Sequence, residues 1–133
     1  VYVTDMFNSR IVAMDYDTRA GTVSNRRTFV DVPAETGLPD GLIADAAGFL
    51  WSAHWGGSRV TRYDPDGAIE RTVPLPTANV TCMGFGGTDL TDLYITTGWF
   101  FLSDEEREAQ PQAGDLFRIR TDVQGLVEPE FKG

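Results

Sequence analysis

An internal repeat constrains this chain most. Val1-Tyr2-Val3-Thr4-Asp5, followed by Arg10-Ile11-Val12-Ala13-Met14-Asp15, returns as Leu50-Trp51-Ser52-Ala53 followed by Arg59-Val60-Thr61-Arg62-Tyr63-Asp64. It returns again as Leu93-Tyr94-Ile95-Thr96 followed by Leu116-Phe117-Arg118-Ile119. Tyr2 and Trp51 are 49 positions apart, as are Ile11 and Val60, and Trp51 and Tyr94 are 43 apart. Short apolar strands recurring in pairs every ~40–50 residues are the signature of a β-propeller blade. The expected class is therefore all-β. In such a fold, ligands bind where the innermost strands and their loops converge on the central axis.

The second copy reads as a complete blade. Its inner strand is Gly41 to Asp45, its second Phe49 to Ala53, its third Arg59 to Asp64 and its outer strand Ala68 to Leu75. Pro65-Asp66-Gly67 is a strong hairpin turn, because Pro presets φ and Gly accepts positive φ. The first copy begins at its second strand (Tyr2 to Thr4), continues with Ile11 to Tyr16 and Thr22 to Val32, and lacks an inner strand. The third copy has strands at Val80 to Phe85, Leu93 to Thr97 and Leu116 to Arg120, with a candidate fourth at Gly125 to Phe131. An insertion, Gly98 to Gly114, carries Ser103-Asp104-Glu105-Glu106, a capping-box start that predicts one short helix near Ser103 to Ala109. Residues 1–133 thus read as a partial propeller of about three blades. Three partial blades leave strand edges unpaired, so the expected partners are the N-terminal half of a larger propeller or a second copy of the chain.

Composition limits the partners further. The net charge of −9 argues against nucleic acid, whose phosphates demand basic neutralisation, and against an anionic membrane surface. No apolar run approaches the length of a membrane-spanning helix. The single Cys82 excludes an internal disulfide and fits a reducing compartment, so a cytoplasmic location is expected. Asn79-Val80-Thr81 is a formal glycosylation sequon that carries little weight without a secretory signal.

Few residues carry chemistry. Asp40, between Pro39 and Gly41, opens an inner strand; it is either a turn residue or a hard oxygen ligand for Ca²⁺, Mg²⁺ or Mn²⁺, and Zn²⁺ also accepts a carboxylate. Asp5 lines a pocket or bonds its own turn. His54, the only histidine, is a substrate contact or a blade hydrogen bond, with the structural role favoured. Thr81 is placed on an inner strand facing the axis. Cys82 has no basic partner in view and reads as a buried small hydrophobe. Trp99-Phe100-Phe101 forms a lid or, by preference, packs the insertion onto the blades. Asp64-Pro65-Asp66-Gly67 resembles the start of an EF-hand loop, but Leu75 stands where its closing Glu belongs.

The ordered motifs Asp15-Tyr16-Asp17, Ser24-Asn25-Arg26-Arg27, Pro39-Asp40-Gly41, Leu50-Trp51, Gly56-Gly57, Asp64-Pro65, Phe85-Gly86-Gly87 and Gln110-Pro111 resemble the senescence marker protein-30, gluconolactonase and luciferin-regenerating enzyme family, in its C-terminal half. The resemblance covers nearly the whole chain. It implies about half of a six-bladed propeller and a gluconolactonase-like opening of a sugar lactone. It also implies one divalent metal ion (Ca, Zn, Mg or Mn) on the axis. Asp40 is the one position that matches the family's metal ligands, and the resemblance makes it a candidate general base as well. Asp5, His54 and Thr81 are the candidate substrate-binding residues. The alternative that the resemblance leaves open is a non-catalytic calcium-binding or scaffold propeller.

Overall fold

The computed structural model describes residues 1–128 and 130. Among the described residues, ten strands form three antiparallel sheets that follow one another along the chain. The first holds β1 (Tyr2–Asp5), β2 (Arg10–Asp17) and β3 (Thr22–Asp31). The second holds β4 (Leu38–Ala44), β5 (Leu50–Trp55), β6 (Arg59–Tyr63) and β7 (Ile69–Pro74). The third holds β8 (Asn79–Gly86), β9 (Asp92–Gly98) and β10 (Leu116–Arg120). Each sheet pairs its strands in chain order, as blades do. The all-β class read from the repeat is the observed one, and the first sheet holds three strands where the second holds four.

The cores lie between blades. Trp51, Ala53 and Val60 of the second blade pack against Val80, Met83, Leu93 and Ile95 of the third. Ile11 and Val32 of the first blade pack against Leu50 and Tyr63 of the second. Successive β5 side chains point to opposite faces, so Trp51 and Ala53 serve the third-blade interface. A buried strand with apolar residues on both faces is what the run Leu50-Trp51-Ser52-Ala53 encodes.

The insertion forms α1 (Asp104–Ala109), and the capping box is complete. Glu106 N–H donates to Ser103 Oγ at 3.2 Å, and Ser103 N–H donates to Glu106 Oε2 at 2.7 Å. Among the described residues, no helix is long and apolar enough to cross a membrane.

Two local expectations change. Within the candidate strand Gly125 to Phe131, the described part forms only one bridge, Gly125 with Asp45; Phe131 lies outside the described residues. Here the backbone finds other partners: Gly125 N–H donates to Leu90 O at 2.8 Å and Ala46 N–H to Gln124 O at 2.8 Å. Cys82 is exposed rather than buried. A bulge at Thr81 separates the pairs Val80↔Thr97 and Cys82↔Thr96. One extra residue reverses the alternation, so Met83 takes the buried place that strict alternation from Val80 would give Cys82.

Candidate functional site

The innermost strands of the second and third blades are both bulged. In β4, Pro39 faces His54 and Leu42 faces Ser52, so Asp40 and Gly41 stand opposite a single residue of β5. Bulges re-aim side chains and concentrate beside active sites. The Asp40 backbone is fixed from the neighbouring blade: Thr4 Oγ1 on β1 donates to Asp40 O at 2.6 Å. Gly41 permits close strand approach, because a Cβ there would lie 2.6 Å from Cys82 Sγ on β8.

Asp40 borders a cavity of about 460 Å³ whose other walls are Met6, Phe7, Leu38, Trp55 and Phe101. Each blade contributes. Met6 and Phe7 sit on a 3-10 turn (Met6–Asn8) after β1, Leu38 and Trp55 on β4 and β5, and Phe101 on the loop after β9. Phe101 meets Trp55 edge-on, with ring centroids 6.3 Å apart. The Asp40 carboxylate accepts no hydrogen bond among the described residues, and burial pushes its pKa above the ordinary carboxylate value. A partly desolvated carboxylate without an internal partner is what a ligand-facing acid or base looks like.

None of the three candidate substrate-binding residues lines this cavity. Asp5 precedes Met6, but its carboxylate is held by Asn8 Nδ2 at 2.8 Å, by Arg10 Nε at 3.0 Å and by the more distant Arg26. The Asn8 bond first, and then Arg10, draw its pKa down. His54 is 1% exposed. Its Nδ1–H donates to Thr36 O at 3.0 Å, and its Nε2 has no partner among the described residues. Burial lowers its pKa, so the neutral ring is favoured. Thr81 Oγ1 bonds Thr96 Oγ1 at 2.7 Å, and a Cβ on Gly98 would lie 3.6 Å from Thr81 Cγ2 and 3.4 Å from the Trp55 ring. Thr4, Trp55 and the 3-10 turn were not singled out in the sequence for this site. Their only signal was position at the ends of the strands that converge there.

No cluster of three or more His, Cys, Asp or Glu side chains suited to a metal occurs among the described residues. A hard cation takes about six to eight oxygens for Ca²⁺, so Asp40 by itself is an incomplete donor set and these residues do not make a metal site alone.

The sequence matches the family model described as the SMP-30/Gluconolactonase/LRE-like region over residues 1–99. The chain belongs to this family. Among its SMP-30/gluconolactonase relatives, regucalcin of Xenopus laevis is 36% identical over 100% of this chain and 45% of its own length. Pentonolactonase XacC of Haloferax volcanii is 39% identical over 98% of this chain and 46% of its own. In three dimensions the chain superposes on the crystal structure of a calcium-binding regucalcin from Agrobacterium tumefaciens with a TM-score of 0.90 and 33% identity, over 96% of this chain and 44% of that one. The chain therefore spans about half the length of the SMP-30/gluconolactonase proteins it matches.

Proposed function

We propose that this chain is the C-terminal half of a sugar-lactone hydrolase, with Asp40 as its catalytic carboxylate. The observation that carries the reading is the placement of Asp40: on a bulged inner strand, at a cavity formed by three blades, its carboxylate partly desolvated and without a hydrogen-bond partner among the described residues. Lactonase relatives, the pentonolactonase among them, support the reaction class.

Hydrolysis needs a base that takes a proton from water while the water oxygen attacks the lactone carbonyl. The ring C–O bond then breaks, and the alkoxide leaving group is protonated to give the open hydroxy acid. A carboxylate with a raised pKa is better matched to that proton transfer at neutral pH than an ordinary one. Thr4 and the bulge hold the Asp40 backbone, so the base starts from a fixed position. Asp40 also offers one oxygen to a divalent cation, with the remaining ligands drawn from the rest of the full-length protein. Such a cation would supply polarisation of the carbonyl and a more acidic water.

A second reading is a calcium-binding propeller without turnover, favoured by the similarity to the calcium-binding regucalcin of Agrobacterium tumefaciens. Hydrolysis of aldonolactones and pentonolactones by the full-length protein, alongside calorimetric titration with divalent cations, separates the two. Turnover that is abolished in Asp40→Asn while cation binding is only weakened supports the hydrolase. Cation binding with no turnover supports the second reading.

A further inference from the structure

The chain reaches Asp40 by way of Pro33, a 3-10 turn (Ala34–Thr36), Gly37 and the first two residues of β4. Pro33 and Pro39 have no N–H to contribute. One side chain reaches across to this approach. His54 stands opposite Pro39 in the β4–β5 register, and its Nδ1 lies 3.0 Å from Thr36 O. A carbonyl oxygen only accepts, so Nδ1 carries the proton of the neutral ring. Nε2 is then bare, and it has no partner among the described residues. The ring is 1% exposed, and Thr36 is its one hydrogen-bond partner among them.

The surroundings are shaped for that bond. A Cβ on Gly57 would lie 2.8 Å from His54 Cβ and would overlap the Thr36 carbonyl oxygen. Gly37, at φ of 89°, turns the chain into β4, and a Cβ there would lie 2.7 Å from Trp55 O. The two glycines let the Thr36–Gly37 backbone lie against the β5–β6 turn, within reach of the imidazole. A ring nitrogen buried without a partner opposes folding. An apolar side chain would fill the space without that penalty, but it could not donate to Thr36 O.

Asp40 is where this hold takes effect. The β4–β5 ladder shifts register between Pro39 and Leu42, so it does not fix the residues between them. The place of Asp40 is set instead from its two sides. Thr4 Oγ1 holds its carbonyl. His54 holds the turn before it, and Pro39, buried and with φ fixed by its own ring, joins that turn to Asp40.

We propose that His54 is a positioning residue for hydrolysis: its Nδ1–H, through Thr36 O, fixes where the bulge presents the Asp40 carboxylate, and the ring does not itself touch substrate. This rests on the lactone-hydrolase reading above.

The test replaces His54 by Asn, Gln or Leu in the full-length protein and follows hydrolysis of glucono-δ-lactone. Asn carries its amide nitrogen on Cγ, as His carries Nδ1. Gln carries it one atom farther out, and Leu donates nothing. The expected result is a fall in kcat of about 10- to 100-fold in His54→Leu and His54→Gln, with KM within about twofold. His54→Asn should recover kcat to within about threefold of the wild type. A residue that only fills space gives the reverse order, because Asn leaves the largest void, and that order overturns the proposal. So does an unchanged kcat in His54→Gln, or a fall in kcat/KM that comes from KM, which would make His54 a substrate contact. If His54→Leu does not fold, His54→Asn against His54→Gln decides.

Hydrogen exchange read by mass spectrometry follows the hold without substrate. Peptides covering residues 33–41 should exchange about fivefold or more faster in His54→Gln than in the wild type or His54→Asn, with β9 peptides unchanged. If the wild type hydrolyses no lactone, or Asp40→Ala keeps turnover, the hydrolase reading fails and the exchange pattern alone judges the hold on the Asp40 segment. Faster exchange at 33–41 confined to His54→Gln and His54→Leu upholds it, and equal exchange in all four proteins overturns it.

Discussion

Arg62 Nη2 lies 2.7 Å from Asp45 Oδ2, with the two side chains 5% and 0% exposed. The Asp45 carboxylate also accepts from Arg62 Nε at 2.8 Å, Trp51 Nε1 at 3.0 Å and the backbone N–H groups of Ala47 and Phe49. Arg62 lies 3.8 Å over the Phe49 ring and reaches Glu70 at 3.1 Å. One carboxylate therefore ties the β4–β5 turn to β5 and β6. Removing one member of a buried pair strands the other, at a cost of about 3–5 kcal/mol. Asp45→Ala should destabilise the full-length protein by that order in urea unfolding. A loss below about 1 kcal/mol would place the pair among energetically idle surface contacts.

Gly41 is fixed by space. An added methyl would lie 2.6 Å from Cys82 Sγ and 2.7 Å from Cys82 Cα. Gly41→Ala should cost about 1–3 kcal/mol through forced strand separation. Adding Cys82→Gly should recover only part of this, because the β8 backbone at position 82 still stands in the way of the methyl. Thermal unfolding of the single and double variants checks it; an unaltered Gly41→Ala protein would contradict the close approach.

The repeat made the three blades and the helix legible because each signal was local: apolar strand runs at a fixed period, Pro65-Asp66-Gly67, and the Ser103–Glu106 capping box. Asp40 stood out through its flanking Pro and Gly. What lay beyond the sequence was phase and partnership. Nothing in Val80-Thr81-Cys82 announces a bulge, so Cys82 read as buried and is exposed. The carboxylate of Asp5 is engaged by Arg10 and Arg26, a pairing that depends on the register of β1, β2 and β3. The aromatic cavity wall gathers residues from three blades, separated by up to 95 positions between Met6 and Phe101, and only the assembled fold brings them together.

His54 gives a pH dependence of known sign. Burial lowers its folded pKa beneath the ordinary 6.5, outweighing the Thr36 hydrogen bond that favours the charged ring. The unfolded chain thus binds the proton more readily. The associated stability is present above pH 6.5 and is lost as pH falls from there through the depressed folded value. The arginine-paired Asp5 and Asp89 have pKa values drawn below their ordinary 3.8, so their contribution is lost only at more acid pH. Between neutral pH and about pH 5, His54→Gln should lose less stability than the wild type, as read from urea midpoints. Equal slopes would rule out His54 as the source.

Asp40 has the opposite sign. Its folded pKa is raised by desolvation, so the protonated form is favoured in the fold and the ionised form disfavours it above the ordinary 3.8. In metal-free full-length protein at neutral pH, Asp40→Asn should raise the urea midpoint modestly, and the gain should fade as the pH is lowered through that range. A lowered midpoint at neutral pH would show that the carboxylate has a stabilising partner.

The most direct test of the central claim is the rate of lactone hydrolysis by full-length protein carrying Asp40→Ala, with folding confirmed by circular dichroism. If Asp40 supplies the base for the attacking water, kcat/KM should fall by about 100-fold or more in a protein that unfolds at least as late as the wild type. Wild-type kcat/KM in the folded Asp40→Ala protein would contradict the assignment of this site.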